Sequence, residues 1–195
     1  MSEFRARGRI VIARHGRPAL DRRAGPRLDW RQYCDWWDRY EAGGLADGQS
    51  PPAELIEAAA EADILFASGR LRAQQTAQLA APGREAEIDP VFNEAPLPPP
   101  RLKRVKYLPK TWNILARAAW LRGHALDGES VGEARERAAE AAKRLHEAAA
   151  HGTVFLAAHG WFNRMLRPEL KKLGWRCVLD RGDAYWSHRV YEFRG

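Results

Sequence analysis

The sequence predicts an α/β fold in which helices cover both faces of a mostly parallel central sheet. Three observations predict it. Short apolar, partly β-branched runs recur at residues 9–13, 64–67 and 154–158. Each stops at a polar residue followed by glycine, and the stretches between them carry the 3.6-residue apolar spacing of helices. Such sheets bind ligands beyond the carboxyl ends of their strands, which singles out His15, Ser68 and His159, the residues that follow the three runs.

The elements justify themselves in order. Arg9-Ile-Val-Ile-Ala13 is a buried strand that ends at Arg14-His15-Gly16. Residues 28–41 place Trp30, Tyr33, Trp37 and Tyr40 at helical spacing, closed by Gly43-Gly44, and predict an aromatic-faced helix. Ser50 before Pro51-Pro52 offers a helix cap, and Leu55, Ile56, Ala59 and Ala60 give the stripe that follows. The second strand, Ile64-Leu-Phe-Ala67, stops at Ser68-Gly69, and Arg72 opens the helix after it. Residues 95–127 begin with stiff Pro96-Leu-Pro-Pro-Pro100 and run through basic Arg101 to Lys110; Arg101, Lys103, Arg104 and Lys106 read as a solvated face, with a hold on a second phosphate near an active site as the alternative. A short pattern at Trp112, Leu115 and Ala119 follows. Ser130 with Glu133 forms a capping box before Val131, Ala134, Ala138, Ala141, Leu145 and Ala148. The opposite face pairs Glu133 with Arg137 and Glu140 with Arg144, and Gly152 stops the helix. The third strand, Val154-Phe-Leu-Ala-Ala158, ends at His159-Gly160.

A chain of 195 residues suits one domain, taken here as residues 1–195 with excursions at about 17–50 and 95–127 that cap the sheet edge. Hydrophobic residues at 45% and charged residues at 29% exclude collagen-like, mucin-like and wholly disordered chains. The 32 Lys and Arg against 25 Asp and Glu give +7, which suits an anionic partner without choosing among phosphate ester, nucleic acid and membrane surface. The two cysteines, Cys34 and Cys177, supply neither a disulfide framework nor a Cys-x-x-Cys zinc site, so no metal is expected and a reducing compartment is the simpler reading. The basic N-terminus lacks an apolar core, and no run of about 18 apolar residues occurs, so a cytoplasmic protein without a membrane span is expected. A nucleic-acid reading would rest only on the net charge and eight tryptophans; these aromatics fit a core or lid better, and no nucleic-acid partner is expected. His124, His146, His151 and His188 lie in loop or helix-surface contexts and read as solvated.

Four ordered blocks carry the chemistry: Arg14-His15-Gly16; Ser68 through Arg72-Ala73 to Thr76-Ala77; Gly128-Glu129-Ser130; and Ala158-His159-Gly160. In this order they resemble the histidine phosphatase superfamily, the phosphoglycerate mutase-like group, over residues 9–163. The resemblance implies a three-layer α/β/α sandwich and a metal-independent phosphatase without cofactor, acting on a phosphate monoester, a small phosphorylated metabolite by preference. It implies that His15 is the nucleophile that becomes a phosphohistidine. Arg14, Arg72 and His159 would hold the phosphoryl oxygens, and Glu94 matches the carboxyl group that protonates the leaving oxygen. The segment around Glu94 lacks the Gly and the aromatic-Glu-Gly motif of many members, and Glu129 or Asp127 is an alternative acid. Arg17-Pro18 stands where many members have an acidic residue and then Ser or Thr; Arg17 either adds charge to the phosphate pocket or faces solvent.

The chemistry of the residues agrees. A phosphoryl group in transfer spreads negative charge over three oxygens, so preorganised positive charge does most of the catalysis. Two arginines and a protonated His159 would supply it. His15 must attack as neutral imidazole, with its other ring nitrogen donating to a fixed acceptor. Ser68 either caps the next helix or touches the ligand, while Glu129 and Ser130 read as structural. The alternatives to a small-molecule phosphatase are a phosphohistidine or phosphoprotein phosphatase, a phosphoglycerate-type mutase, and a catalytically inactive relative that binds a phosphorylated ligand. The absence of a Tyr-Gly-x-Leu-Gln-Gly-like segment favours hydrolysis over transfer.

Overall fold

The computed structural model describes residues 7–125 and 128–195, so the first six residues and Asp127 lie outside the described residues. The strands are β1 (Ile10–Arg14), β2 (Ile64–Ala67), β3 (Glu87–Ile88), β4 (Val154–Ala158), β5 (Trp175–Asp180) and β6 (His188–Phe193). They form one sheet in the order β3-β2-β4-β1-β6-β5. The pairs from β3 to β1 are parallel, whereas β6 runs antiparallel to β1 and β5 antiparallel to β6. The helices are α1 (Trp30–Ala42), α2 (Ala53–Ala60), α3 (Leu71–Ala80), α4 (Pro109–Leu121), α5 (Val131–Ala148) and α6 (Gly160–Lys172).

The continuous apolar runs of β1 and β4 arise because both sheet faces are covered. Ile10, Ile12, Val154 and Leu156 meet α5 and α6 through Ala138, Ala141, Leu145, Phe162 and Leu166. Their alternate neighbours Val11, Ala13, Phe155 and Ala157 meet α2 and α3 through Leu55, Ala59, Ala77 and Ala80. This is the expected α/β/α sandwich. The Ser130 and Glu133 capping box starts α5 as expected, and an unforeseen one, Asp29 with Gln32, starts α1.

The two excursions become a separate small layer. Tyr33, Trp36 and Tyr40 of α1 pack with Trp112 and Ala116 of α4, and the Trp112 indole N–H donates to the Leu28 carbonyl at 2.7 Å. Main-chain bonds between Leu28 and Tyr107 run in both directions and join the excursions. The layer reaches the strand ends, where the carbonyls of Tyr40 and Glu41 meet Arg72.

Several local expectations are corrected. The cap of α2 is Pro52 and makes no side-chain bond, so Ser50 is not its cap; Ile56 and Ala60 of its stripe face outward. Arg137 pairs with Glu129 instead of Glu133, and Arg144 pairs with Asp89 and Glu87 instead of Glu140. Arg144 thereby ties α5 to β3, and Arg137 also donates to the Val91 and Asn93 carbonyls beyond it; both arrangements outcompete an exposed helical pair. His188 is buried in β6, since pairing with Ala13 of β1 places it inside the sheet. No helix among the described residues is long and apolar enough to cross a membrane.

Candidate active site

The sheet register brings the predicted residues together. Arg14 lies opposite Ala158, and Ala67 opposite Ala157, so β1, β2 and β4 end side by side. The His15 N–H continues the ladder to the Ala158 carbonyl at 3.0 Å, and the Ser68 N–H to the Ala157 carbonyl at 3.1 Å. His15, Ser68, Arg72 and His159 are each at most 2% exposed.

His15 is held in one tautomer. Its Nδ1 lies 2.7 Å from the Gly16 carbonyl, which can only accept, so Nδ1 carries the hydrogen and Nε2 keeps its lone pair. Burial, with the Arg72 and Arg14 charges, holds the ring well below the ordinary histidine value of 6.5, so it is neutral at pH 7. The fixed acceptor that the sequence could not name is thus the carbonyl of the next residue. Gly16 is fixed by two contacts: its N–H donates to Thr76 Oγ1 at 3.0 Å, and a Cβ there would lie 2.3 Å from the Trp186 ring.

His159 stands 5.1 Å from His15, ring centre to ring centre. Arg72 donates from Nη2 to its Nδ1 at 3.4 Å, so Nε2 carries the hydrogen and donates to Ser68 Oγ at 2.6 Å. Burial and the Arg72 charge push this ring well below 6.5 as well. The expectation of a protonated His159 is therefore corrected for the structure without substrate: a fully buried ring beside cations stays neutral. Ser68 serves as its partner and not as the cap of α3, whose capping residue is Arg70.

Arg72 is the most committed cation in the site. Nη1 donates to the Tyr40 and Glu41 carbonyls at 3.0 and 3.3 Å, and Nη2 donates to Glu41 Oε1 at 2.6 Å as well as to His159. The other Glu41 oxygen lies 2.9 Å from Arg70 Nε. Nε of Arg72 is buried without a hydrogen-bond partner. Nothing in local sequence marked Glu41, because its partner stands 31 residues away.

Arg14 is placed by the β5–β6 loop, which sequence reasoning missed entirely. Its Nη1 donates to the Asp183 carbonyl, and its guanidinium lies 4.4 Å from the Tyr185 ring centre. The Tyr185 ring is also 5.7 Å from that of His15. The Asp183 carboxylate pairs with Arg164, Arg167 and Arg189 at 2.8–2.9 Å, anchoring the loop. Gly160 leaves room for this arginine, since a Cβ there would lie 3.0 Å from Arg14 Nε.

Glu94 lies with Arg14 and Gly160 on the wall of a cavity of about 500 Å³. Its Oε1 accepts from the Ala95 and Phe162 N–H groups at 3.0 and 2.9 Å, and Oε2 only from Trp161 N–H at 3.2 Å. It thus satisfies first-turn donors of α6 that the capping residue, His159, leaves unbonded. Glu129 is taken by Arg137 through both oxygens, at 2.6 and 2.8 Å, and is structural as expected. Arg17 is not brought to the group: its side chain is exposed, and only its backbone is engaged, with Gln49 and Ala46.

The sequence model of the histidine phosphatase superfamily (branch 1) matches residues 46–191. The chain belongs to this superfamily. The match begins downstream of Arg14 and His15, so their place in the site rests on the strand-end motif and on the geometry above. No curated protein matches the chain. Among solved structures it is similar to the phosphoserine phosphatase of Entamoeba histolytica in complex with 3-phosphoglyceric acid, at 16% identity over 85% of this chain and 80% of that one, with a TM-score of 0.56. It is also similar to mycobacterial glucosyl-3-phosphoglycerate phosphatase with VO3, at 23% identity, 86% and 83% coverage and a TM-score of 0.52. A functionally characterised open reading frame of Mycobacterium tuberculosis gives 22% identity, 82% and 77% coverage and 0.53. These likenesses show the phosphoglycerate mutase-like fold.

Proposed function

We propose that the protein is a metal-independent phosphatase that hydrolyses a small phosphate monoester through a phosphohistidine on His15. The observation that carries this is the His15 ring, buried and neutral between two arginines, with Nδ1–H fixed on the Gly16 carbonyl and the Nε2 lone pair left for attack. The solved relatives named above as phosphatases act, by their names, on phosphoserine and glucosyl-3-phosphoglycerate, both small monoesters.

In this reading Nε2 attacks phosphorus while Arg14 and Arg72 meet the charge on the phosphoryl oxygens. The P–O bond to the leaving group breaks, and the leaving oxygen takes a proton from Glu94. Oε2 is the oxygen suited to carry it, because protonation there costs only the long bond from Trp161, whereas Oε1 holds two donors. Water then attacks the phosphohistidine, gives its proton back to Glu94, and leaves inorganic phosphate and free His15. An arriving dianion favours the imidazolium of His159, which then joins the arginines. His15 is recessed, 2% exposed, which suits a small substrate better than a protein-borne phosphate.

The test is hydrolysis of p-nitrophenyl phosphate in EDTA by the native protein and His15→Ala. Activity that survives chelation and drops at least ~10³-fold in the variant is expected, since removal of a covalent nucleophile removes the reaction path. A variant that keeps most of its rate would sink the proposal.

A further inference from the structure

Much of the hydrogen-bonding capacity at the strand ends is already taken. Arg72 gives Nη1 to two carbonyls and Nη2 to Glu41 and His159, and Arg14 gives Nη1 to the Asp183 carbonyl. His159 donates its one N–H to Ser68. What remains on Arg72 is Nε, buried without a partner, as is Nε of Arg14. A phosphoryl group presents three strong acceptor oxygens, on which its charge falls in transfer, so these arginine N–H groups leave room for further donors.

Each of the two arginines lies against a tyrosine ring, Arg72 at 4.9 Å from the Tyr40 ring centre and Arg14 at 4.4 Å from that of Tyr185. The Tyr185 ring is also 5.7 Å from the His15 ring and from the Arg22 guanidinium. Both tyrosines are held. Tyr40 stacks on Trp36 and Trp37, 5.1 and 5.2 Å between ring centres. Tyr185 precedes Trp186, whose φ of 65° lies in the left-handed region that bulky residues avoid. Such strain persists only where the surroundings impose it, here the contact of the Trp186 ring with Gly16 and its indole N–H donating to Gln49 Oε1 at 3.1 Å.

The hydroxyls are the unexplained part. Tyr33 donates its hydroxyl to Asn113 Oδ1 at 2.8 Å, whereas those of Tyr40 and Tyr185 have no hydrogen-bond partner among the described residues. The guanidinium groups beside them can only donate, so neither phenol proton finds an acceptor there. Tyr40 is 5% exposed, and a donor left unanswered in so buried a wall is costly. Burial, with the neighbouring Tyr185 phenol, raises the Tyr40 hydroxyl above the ordinary tyrosine value of 10 against the pull of Arg72, so it keeps its proton.

We propose that the Tyr40 and Tyr185 hydroxyls bind the phosphoryl group, each donating to an oxygen beside the arginine that its ring supports. The inference rests on the phosphatase reading, since it takes Arg14, His15 and Arg72 as the phosphoryl site, and it adds two neutral donors from α1 and the β5–β6 loop.

Tyr40→Phe and Tyr185→Phe test it, because phenylalanine keeps the ring against the guanidinium and removes only the donor. Inorganic phosphate is the probe, by calorimetry and as a product inhibitor of p-nitrophenyl phosphate hydrolysis. Each variant is expected to raise the dissociation and inhibition constants at least ~10-fold, as loss of a hydrogen bond to a charged group requires. The phosphate-free midpoint of thermal unfolding is expected to stay within about 2 °C of the native one, since no protein partner is lost. Calorimetry reads the constant on the folded fraction, so partial unfolding lowers the stoichiometry and not the affinity. Constants within ~2-fold of native in both variants overturn the proposal; a loss in one alone keeps that tyrosine and removes the other. Hydrolysis by the native protein with unchanged constants in the variants leaves the phosphatase reading standing without these donors. No hydrolysis, with phosphate binding weakened in the variants, removes that reading and keeps them. A native protein that does not bind phosphate overturns both.

Discussion

Glu41→Gln is the substitution whose effects follow most directly from the geometry. Arg72 is 1% exposed and the Glu41 side chain 11%, so the 2.6 Å pair between them is a buried one. Breaking such a pair from one side costs about 3–5 kcal/mol, because the charge left behind is desolvated. Glutamine keeps one carbonyl oxygen for Arg72 Nη2, and the Tyr40 and Glu41 main-chain carbonyls still hold Nη1, so the loss falls at or below the lower end, about 2–3 kcal/mol. The Arg70 half of the bridge adds little, since that side chain is 37% exposed. At roughly 2–4 °C per kcal/mol for a domain of this size, the midpoint of thermal unfolding drops by about 4–12 °C. Urea titration followed by tryptophan fluorescence measures the free energy. The same substitution relieves a competition, because the Glu41 carboxylate and a phosphoryl oxygen both draw on Arg72 Nη2. Inorganic phosphate is therefore expected to raise the midpoint of Glu41→Gln more than that of the native protein, by linkage. A variant within ~0.5 kcal/mol of the native protein, with an unchanged response to phosphate, would refute the view that this ion pair is buried and seated on the phosphate donors.

Two further predictions concern the acid and the pH. Glu94→Gln is expected to slow alkyl phosphates at least tenfold more than p-nitrophenyl phosphate, whose leaving group needs no proton, as general-acid contributions of ~10²-fold or more require; equal losses in kcat on both esters would remove Glu94 as the acid. His15 and His159 both have folded values well below 6.5, so in acid the unfolded chain binds protons that the folded one does not. Stability is accordingly full above pH ~6.5 and lost as pH falls below it, by up to about 1.4 kcal/mol per pH unit for each ring. Urea titrations between pH 7.5 and 5 check this against His15→Ala, in which the slope is expected to shrink; an unchanged slope would mean that His15 is not held neutral by the fold.

The parts of the fold that were legible share a physical origin. β1, β2 and β4 are buried on both faces or nearly so, and a strand so placed must be apolar along its whole length, which is a pattern that composition alone reveals. β5 and β6 were missed because their environment breaks that pattern. Four residues of β5 are exposed at the sheet edge, and Arg189 interrupts β6 although it is buried, its charge met by Asp180 and Asp183. The site divides along the same line. Arg14, His15, Ser68, Arg72 and His159 lie at or just past strand ends, where a strand and a turn suffice to place them. Glu41, Asp183 and Tyr185 reach the site from elsewhere.

A buried ion pair is written in sequence as two polar letters, and hydrophobic patterning assigns both to the surface. That blindness accounts for Glu41 beneath Arg72, and it extends to the half-buried pairs of Arg137 with Glu129 and of Arg189 with Asp183. Only the first joins residues distant in the chain, 31 positions apart, and two of the three acids end at the site: Glu41 on Arg72, and Asp183 through its carbonyl on Arg14. The two arginines expected to bind phosphate are thus each oriented by an acidic residue that no local motif predicts. Recognition of the phosphoryl group is written at the strand ends. Orientation of the groups that recognise it is distributed over α1 and the β5–β6 loop, so substitutions there are expected to change phosphate affinity without touching any of the four motif blocks.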